Sequence, residues 1–159
     1  YSVCRFYSYI VCMAYKGKYK PQNLSKYLGD PSKVVYRSLW ERRFMVYCDT
    51  KDSVLKWGSE EIVVPYVSPI DGKTHRYFVD FIVHLVDKKG KKRTLLIEVK
   101  PKKYCSPPEK KSRTTRKYLR EVQLWGVNSS KWKAAQEFAE DRGWSFLILT
   151  EDHLLGSST

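Results

Sequence analysis

Two strand-like runs flank the short turn Lys88-Lys89-Gly90, and that turn narrows most sharply what this chain can fold into. Across Thr74–Val86 the side chains alternate, with Tyr77, Val79, Phe81, Val83 and Leu85 on one face and Phe78, Asp80, Ile82 and Val86 largely on the other. Residues 93–100 read as a second strand, with Leu95, Ile97 and Val99 on one face and Leu96, Glu98 and Lys100 on the other. In a three-residue hairpin loop the third residue adopts the left-handed conformation, which glycine tolerates best, so Gly90 fits that place and Asp87 and Lys91 flank the loop. Directly opposed hairpin residues keep a constant index sum. Asp80 with Glu98 has the same sum as Asp87 with Lys91, so these two carboxylates face each other on one side of the sheet. Their Cβ atoms would lie roughly 4.5–5.5 Å apart.

Facing carboxylates repel, and an unpaired buried charge is costly. Lys100, on the same face, is one source of compensation. A divalent cation held by hard oxygen ligands is another, since Mg²⁺ commonly takes one or two carboxylates together with substrate phosphates. Taken alone, the pair reads better as a salt-bridged strand pair that performs no chemistry. A register slip of one residue would separate it.

The chain around the hairpin reads as a single α/β domain, for which 159 residues suffice to bury a core. Residues 1–12 read as an upstream extension, because Met13 looks like a natural initiation point. They are too polar for a secretory signal and lack its cleavage pattern. Residues 13–33 read as an irregular basic arm, residues 34–155 as the domain itself and residues 156–159 as a loose tail. Within the domain, Tyr36, Leu39, Trp40, Phe44 and Tyr47 recur at helical spacing, and 49–59 reads as a polar connection. Residues 61–67 form a β-rich run in which Pro65 points to an edge or a bulge, and Asp71-Gly72 marks a turn, giving a three-stranded meander. Helices are expected over 114–124 and 131–142, with Asn128-Ser129-Ser130 as caps between them and Gly143 as the stop. Residues 144–150 suit a buried strand.

A formal net charge of +13 in a chain that is 42% hydrophobic and 14% aromatic predicts a folded protein with an anionic partner, nucleic acid above all. The four cysteines (Cys4, Cys12, Cys48, Cys105) form no CxxC and the three histidines are scattered, which argues against structural zinc or a disulfide framework. No apolar run approaches the roughly 20 residues that span a bilayer, so no membrane partner is expected.

The carboxylate on one strand and the Glu98-Val99-Lys100 element on the next resemble the PD-(D/E)XK nuclease superfamily, although Phe78-Val79-Asp80 lacks the proline. Glu41, within YRSLWE, sits where that superfamily often adds a glutamate. The ordered set YRSLWE, WGSE, YFVDF, IEVKPKK and KWKAAQEFAEDRGWSFLILTE is similar to the head completion nucleases of tailed phages and to the endonuclease subunits of heteromeric transposases. The resemblance implies a restriction-endonuclease-like core, a mixed β-sheet flanked by helices. It implies Mg²⁺-dependent endonucleolytic hydrolysis of DNA, with Mn²⁺ substituting, during phage head completion. Asp80 and Glu98 would hold the metal with the Val99 carbonyl. Lys100 would orient or deprotonate the attacking water, and Glu41 would bind a metal-linked water or a second metal.

The segment after the second strand carries Lys102, Lys103, Arg113, Arg116, Lys117 and Arg120, which suit contacts to the backbone of double-stranded DNA with little base readout. Capsid or portal-vertex proteins would be further partners, placing the protein in the infected bacterial cell and at the virion. Two alternatives remain on the sequence: a non-catalytic DNA-end or capsid-vertex binding protein on the same fold, and a junction-resolving nuclease. The aromatic stripe Trp40, Phe44, Trp132 and Phe138 reads as core, Glu60 and Glu61 as a strand start, and His84 as an ordinary sheet-face residue.

Overall fold

The computed structural model describes residues 15–155; the expectations for residues 1–12, for Met13 and for the tail at 156–159 lie outside the described residues. In chain order the elements are β1 (Gly17–Lys18), β2 (Val35–Tyr36), α1 (Leu39–Thr50), β3 (Val54–Val67), β4 (Thr74–Val86), β5 (Lys92–Val99), α2 (Arg116–Glu140), β6 (Ser145–Leu149) and α3 (Glu151–Leu154). The main sheet has the order β3-β4-β5-β6. Its first three strands are an antiparallel meander, and β6 runs parallel to β5, reached through α2. It is a mixed sheet with a helix on each face.

The hairpin register follows the turn. Gly90 has φ +76°, the Asp87 amide donates to the Lys91 carbonyl at 2.9 Å, and Phe81 pairs with Ile97 and Ile82 with Leu96. On one side of the sheet Trp40, Phe44, Met45 and Cys48 of α1 pack on Trp57, Phe81, Val83, Ile97 and Val99. On the other, Trp132, Ala135 and Ala139 of α2 cover Val64, Tyr77, Val79, Ile82, Leu96 and Phe146. The aromatic stripe is therefore core on both faces.

Tyr77 and Val79 join the α2-side core, whereas Phe81, Val83 and Leu85 face α1, so the five do not share one face as simple alternation predicts. The register of β3 against β4 shifts between Ser59 and Ile62, opposite Asp80, and Glu60 there has φ +56°. A bulge adds a residue and increases the local twist, which turns the strand at this point. Glu60 and Glu61 thus sit in the bulge inside β3 and not at a strand start. The expected polar connection 49–59 is also much shorter. Helix α1 runs to Thr50 and β3 begins at Val54, with Trp57 fully buried.

Two expected helices are one. Helix α2 is continuous over 25 residues. Asn128, Ser129 and Ser130 lie in its middle, where the Ser130 hydroxyl donates to the Gly126 carbonyl one turn back at 3.0 Å. Propensity is a weak prior that packing overrides, and Trp125 and Trp132 on both sides of the triplet anchor the helix to the sheet. Strand β6 lies at the sheet edge with Leu147 44% exposed, so it is less buried than its apolar run implied.

The basic arm is mostly irregular yet firmly docked. The buried Asp49 carboxylate accepts the Tyr19 hydroxyl at 2.9 Å and the Gln22 and Asn23 amides at 2.8 and 3.1 Å, while Tyr27 and Val34 enter the α1-side core.

Candidate active site at the end of β5

The site forms where β5 leaves the sheet. Asp80, at the bend of β4, accepts the Val99 backbone amide on Oδ2 at 2.8 Å. Glu98, 6% exposed, accepts the Tyr77 hydroxyl on Oε2 at 2.5 Å and faces Lys100 Nζ from Oε1 at 3.6 Å. Burial raises the Asp80 pKa well above the ordinary carboxylate value, and the charges of Glu98 and Glu41 raise it further; the Val99 amide and Lys100 offset this in part. Burial also pushes the Tyr77 hydroxyl far up, with the Glu98 charge next in effect, so it stays a donor.

Glu41 approaches from α1. Ser38 caps the helix, its hydroxyl accepting the Glu41 amide at 3.1 Å, while the Glu41 carboxylate accepts the Arg37 amide at 2.9 Å. That is a complete structural role for the residue. Its carboxyl pKa is raised, chiefly by burial. A cavity of about 320 Å³ brings it into line with Arg37, Val99, Lys100, Tyr104 and Leu124. The charges of Glu98, Glu41 and Lys100 all act on Asp80, although Asp80 and Glu98 do not themselves line that cavity.

An all-oxygen donor pair with one lysine suits a hard divalent cation. Two carboxylates against one ammonium leave negative charge uncompensated, and together with burial this raises the Asp80 pKa. Among the described residues no group of three His, Cys, Asp or Glu side chains stands at metal-holding spacing. The protein side would thus be Asp80 and Glu98 with backbone carbonyl, water or phosphate completing the shell.

The model of the TnsA-like endonuclease N-terminal family matches residues 51–151, which contain Asp80, Glu98 and Lys100. The chain belongs to the TnsA-like endonuclease family. It is also 46% identical over 146 residues to the head completion nuclease of Enterobacteria phage T4, an alignment covering 89% of this chain and 95% of that protein. The mixed sheet between helices is consistent with the restriction-endonuclease-like fold expected of a TnsA-like domain. Arg37 and Glu41 precede the residues matched to the family but fall in the region of the site cavity.

Around this TnsA-like site the basic residues separate into two groups. Lys103, Arg113, Arg116, Lys117 and Arg120 are exposed on the loop and first turns of α2. Lys102 is different: its ammonium pairs with Asp152 at 2.7 Å and its amide donates to Glu151 at 2.8 Å, pinning the loop to α3. His75 pairs with Asp71 at the hairpin tip, and His84 meets the Thr94 hydroxyl on the sheet; neither joins the carboxylates.

Three residues of the site carried no signal in the sequence. Tyr77 was read only as a core residue, and its bond to Glu98 depends on the bend of β4. Arg37 pairs with Glu60 at 2.9 Å across the bulge, and a bulge is not readable from side-chain alternation. Lys131 of α2 lies 5.5 Å from the centre of the Tyr77 ring. Among the described residues no helix is long and apolar enough to cross a membrane.

Proposed function

We propose that this endonuclease-family domain hydrolyses phosphodiester bonds of DNA with a divalent cation, Mg²⁺ or Mn²⁺, held by Asp80 and Glu98 and the Val99 carbonyl, and that it acts on phage DNA during head completion. The observation that carries the reading is the apposition of two carboxylates, one of them with its pKa raised by burial and by its charged neighbours, beside Lys100 at the end of β5. When bound, the cation neutralises charge on the phosphate and lowers the pKa of a coordinated water.

The remaining work falls to the chain. The Val99 amide fixes Asp80, and the Tyr77 hydroxyl fixes one oxygen of Glu98, leaving the other toward Lys100. Lys100 Nζ orients the attacking water and offsets the charge that builds on the phosphate oxygens. Glu41, lining the same cavity, holds a further water. Lys103, Arg113, Arg116, Lys117 and Arg120 guide the DNA backbone toward the site, with Lys102 at its edge, by the sequence-independent attraction of phosphates. The phage relative's name motivates the setting, an infected bacterial cell, with capsid or portal-vertex proteins as recruiting partners.

The test is incubation with plasmid and linear DNA in Mg²⁺ or Mn²⁺, then with chelator. Cleavage that needs the cation and disappears in Asp80→Ala and Glu98→Ala is expected. Salt-sensitive DNA binding with no turnover in any metal would instead identify a DNA-end or vertex-binding protein, and preferential cutting of branched DNA a junction-resolving enzyme.

A further inference from the structure

A second cavity, of about 260 Å³, lies beside the first, between the loop after β5 and the face of α2. Tyr104 and Leu124 line both cavities, so the two share a wall. Asn128 forms its floor. It is only 4% exposed, in the middle of α2, and its side-chain amide has no hydrogen-bond partner among the described residues. Its polar atoms are not sealed from solvent, and the residue lines the cavity, so a ligand entering there can replace water on the amide with direct hydrogen bonds.

The walls state which ligand. Tyr104 and Trp125 line the cavity and offer aromatic rings, and Lys103 and Lys117 stand on its rim. Glu121 also lines it and repels a phosphate from the interior. A flat, uncharged group with a donor and an acceptor on one edge, joined to phosphates outside, satisfies all of these. A nucleobase is such a group: Asn pairs with the adenine edge through one donor and one acceptor, and every base stacks on aromatic side chains. Pockets for drug-sized molecules run to roughly 300–1,000 Å³, so this smaller space suits a single base.

We propose that the cavity floored by Asn128 receives one unpaired nucleobase of the DNA strand adjoining the bond to be cut. The proposal rests on the nuclease reading of the neighbouring cavity and adds a substrate preference to it. Drawing a base out of an intact duplex costs stacking and pairing energy, and least where the base is already unpaired. DNA with an end, nick or flap beside the site is therefore the preferred substrate over continuous duplex.

The experiment uses the full chain in chelator with two short duplexes, one ending in a single unpaired 2-aminopurine nucleotide and the other in an abasic nucleotide. Fluorescence anisotropy should show the base-bearing end binding about tenfold more tightly, as one stacked base provides, with quenching of the 2-aminopurine emission. Asn128→Ala and Trp125→Leu should each reduce that preference, the second with loss of quenching, while circular dichroism confirms that both variants are folded. Equal affinities without quenching overturn the proposal, and metal-dependent cleavage persisting beside them shows that the nuclease reading survives. Base preference in a protein that cleaves nothing keeps the pocket and overturns the nuclease reading instead.

Discussion

The backbone amide of Val99 donates to the Asp80 carboxylate across 2.8 Å, so the last residue of β5 holds the acidic side chain of β4 beside Glu98. Two neighbouring strands thereby fix two like charges that would otherwise move apart. The sheet tolerates this only because Lys100, Tyr77 and the Val99 amide offset it in part.

That compromise has a pH signature. Burial, then Glu98 and Glu41, hold the Asp80 pKa above its ordinary value, so the folded protein binds this proton more tightly than the unfolded chain. The associated stability is present below the unfolded pKa of about 3.9 and is lost as pH rises through the raised folded value. Asp80→Asn, which retains an oxygen for the Val99 amide, should melt a few degrees higher than the parent at neutral pH without metal, since about 1 kcal/mol moves a domain of this size by roughly 2–4 °C. Mg²⁺ should raise the melting temperature of the parent and leave the variant unmoved. Thermal melts across pH, with and without Mg²⁺, check both.

Tyr77→Phe keeps the buried ring and removes the hydroxyl from Glu98. Losing a group that orients a metal ligand typically lowers metal affinity or activity by roughly 10–100-fold. A Mg²⁺ titration of cleavage should shift to higher concentration by that order, and the melting temperature without metal should fall by a few degrees, because a buried Glu98 oxygen loses its partner.

The exposed and the paired lysines should differ in salt dependence. Lys117→Ala should reduce the slope of log affinity against log salt by about 1, as the loss of one phosphate contact does. Lys102→Ala should change it less, because Asp152 already occupies that ammonium. Binding isotherms in chelator over a range of salt decide this.

The continuity of α2 gives a stability prediction. A Cβ at Gly126 would meet only the Pro69 side chain, at an ordinary 3.5 Å. Gly126→Ala in a helix interior should therefore stabilise by about 0.5–1 kcal/mol, read as a higher melting temperature. A helix broken at residues 128–130 would gain little.

What the sequence carried was local chemistry. Gly90 and the alternation around it specify the β4–β5 register, which pairs Phe81 with Ile97 and so brings Asp80 and Glu98 to adjoining positions at the end of the ladder. Non-local packing was not legible. Nothing in Glu60-Glu61 announces a bulge, so the turn of β4 that sends Tyr77 to the α2 side, and with it the Tyr77–Glu98 bond, stayed hidden. Asn128-Ser129-Ser130 has the composition of a cap, and only the anchoring of Trp125 and Trp132 on the sheet carries the helix through it. The Arg37–Glu60 pair joins segments whose contact requires that same bulge.

The most direct measurement is the anomalous signal from crystals soaked in Mn²⁺. The account predicts a cation between the Asp80 and Glu98 carboxylates, absent in Asp80→Asn. Saturating Mn²⁺ that supports DNA cleavage yet leaves no cation between those two side chains would contradict it.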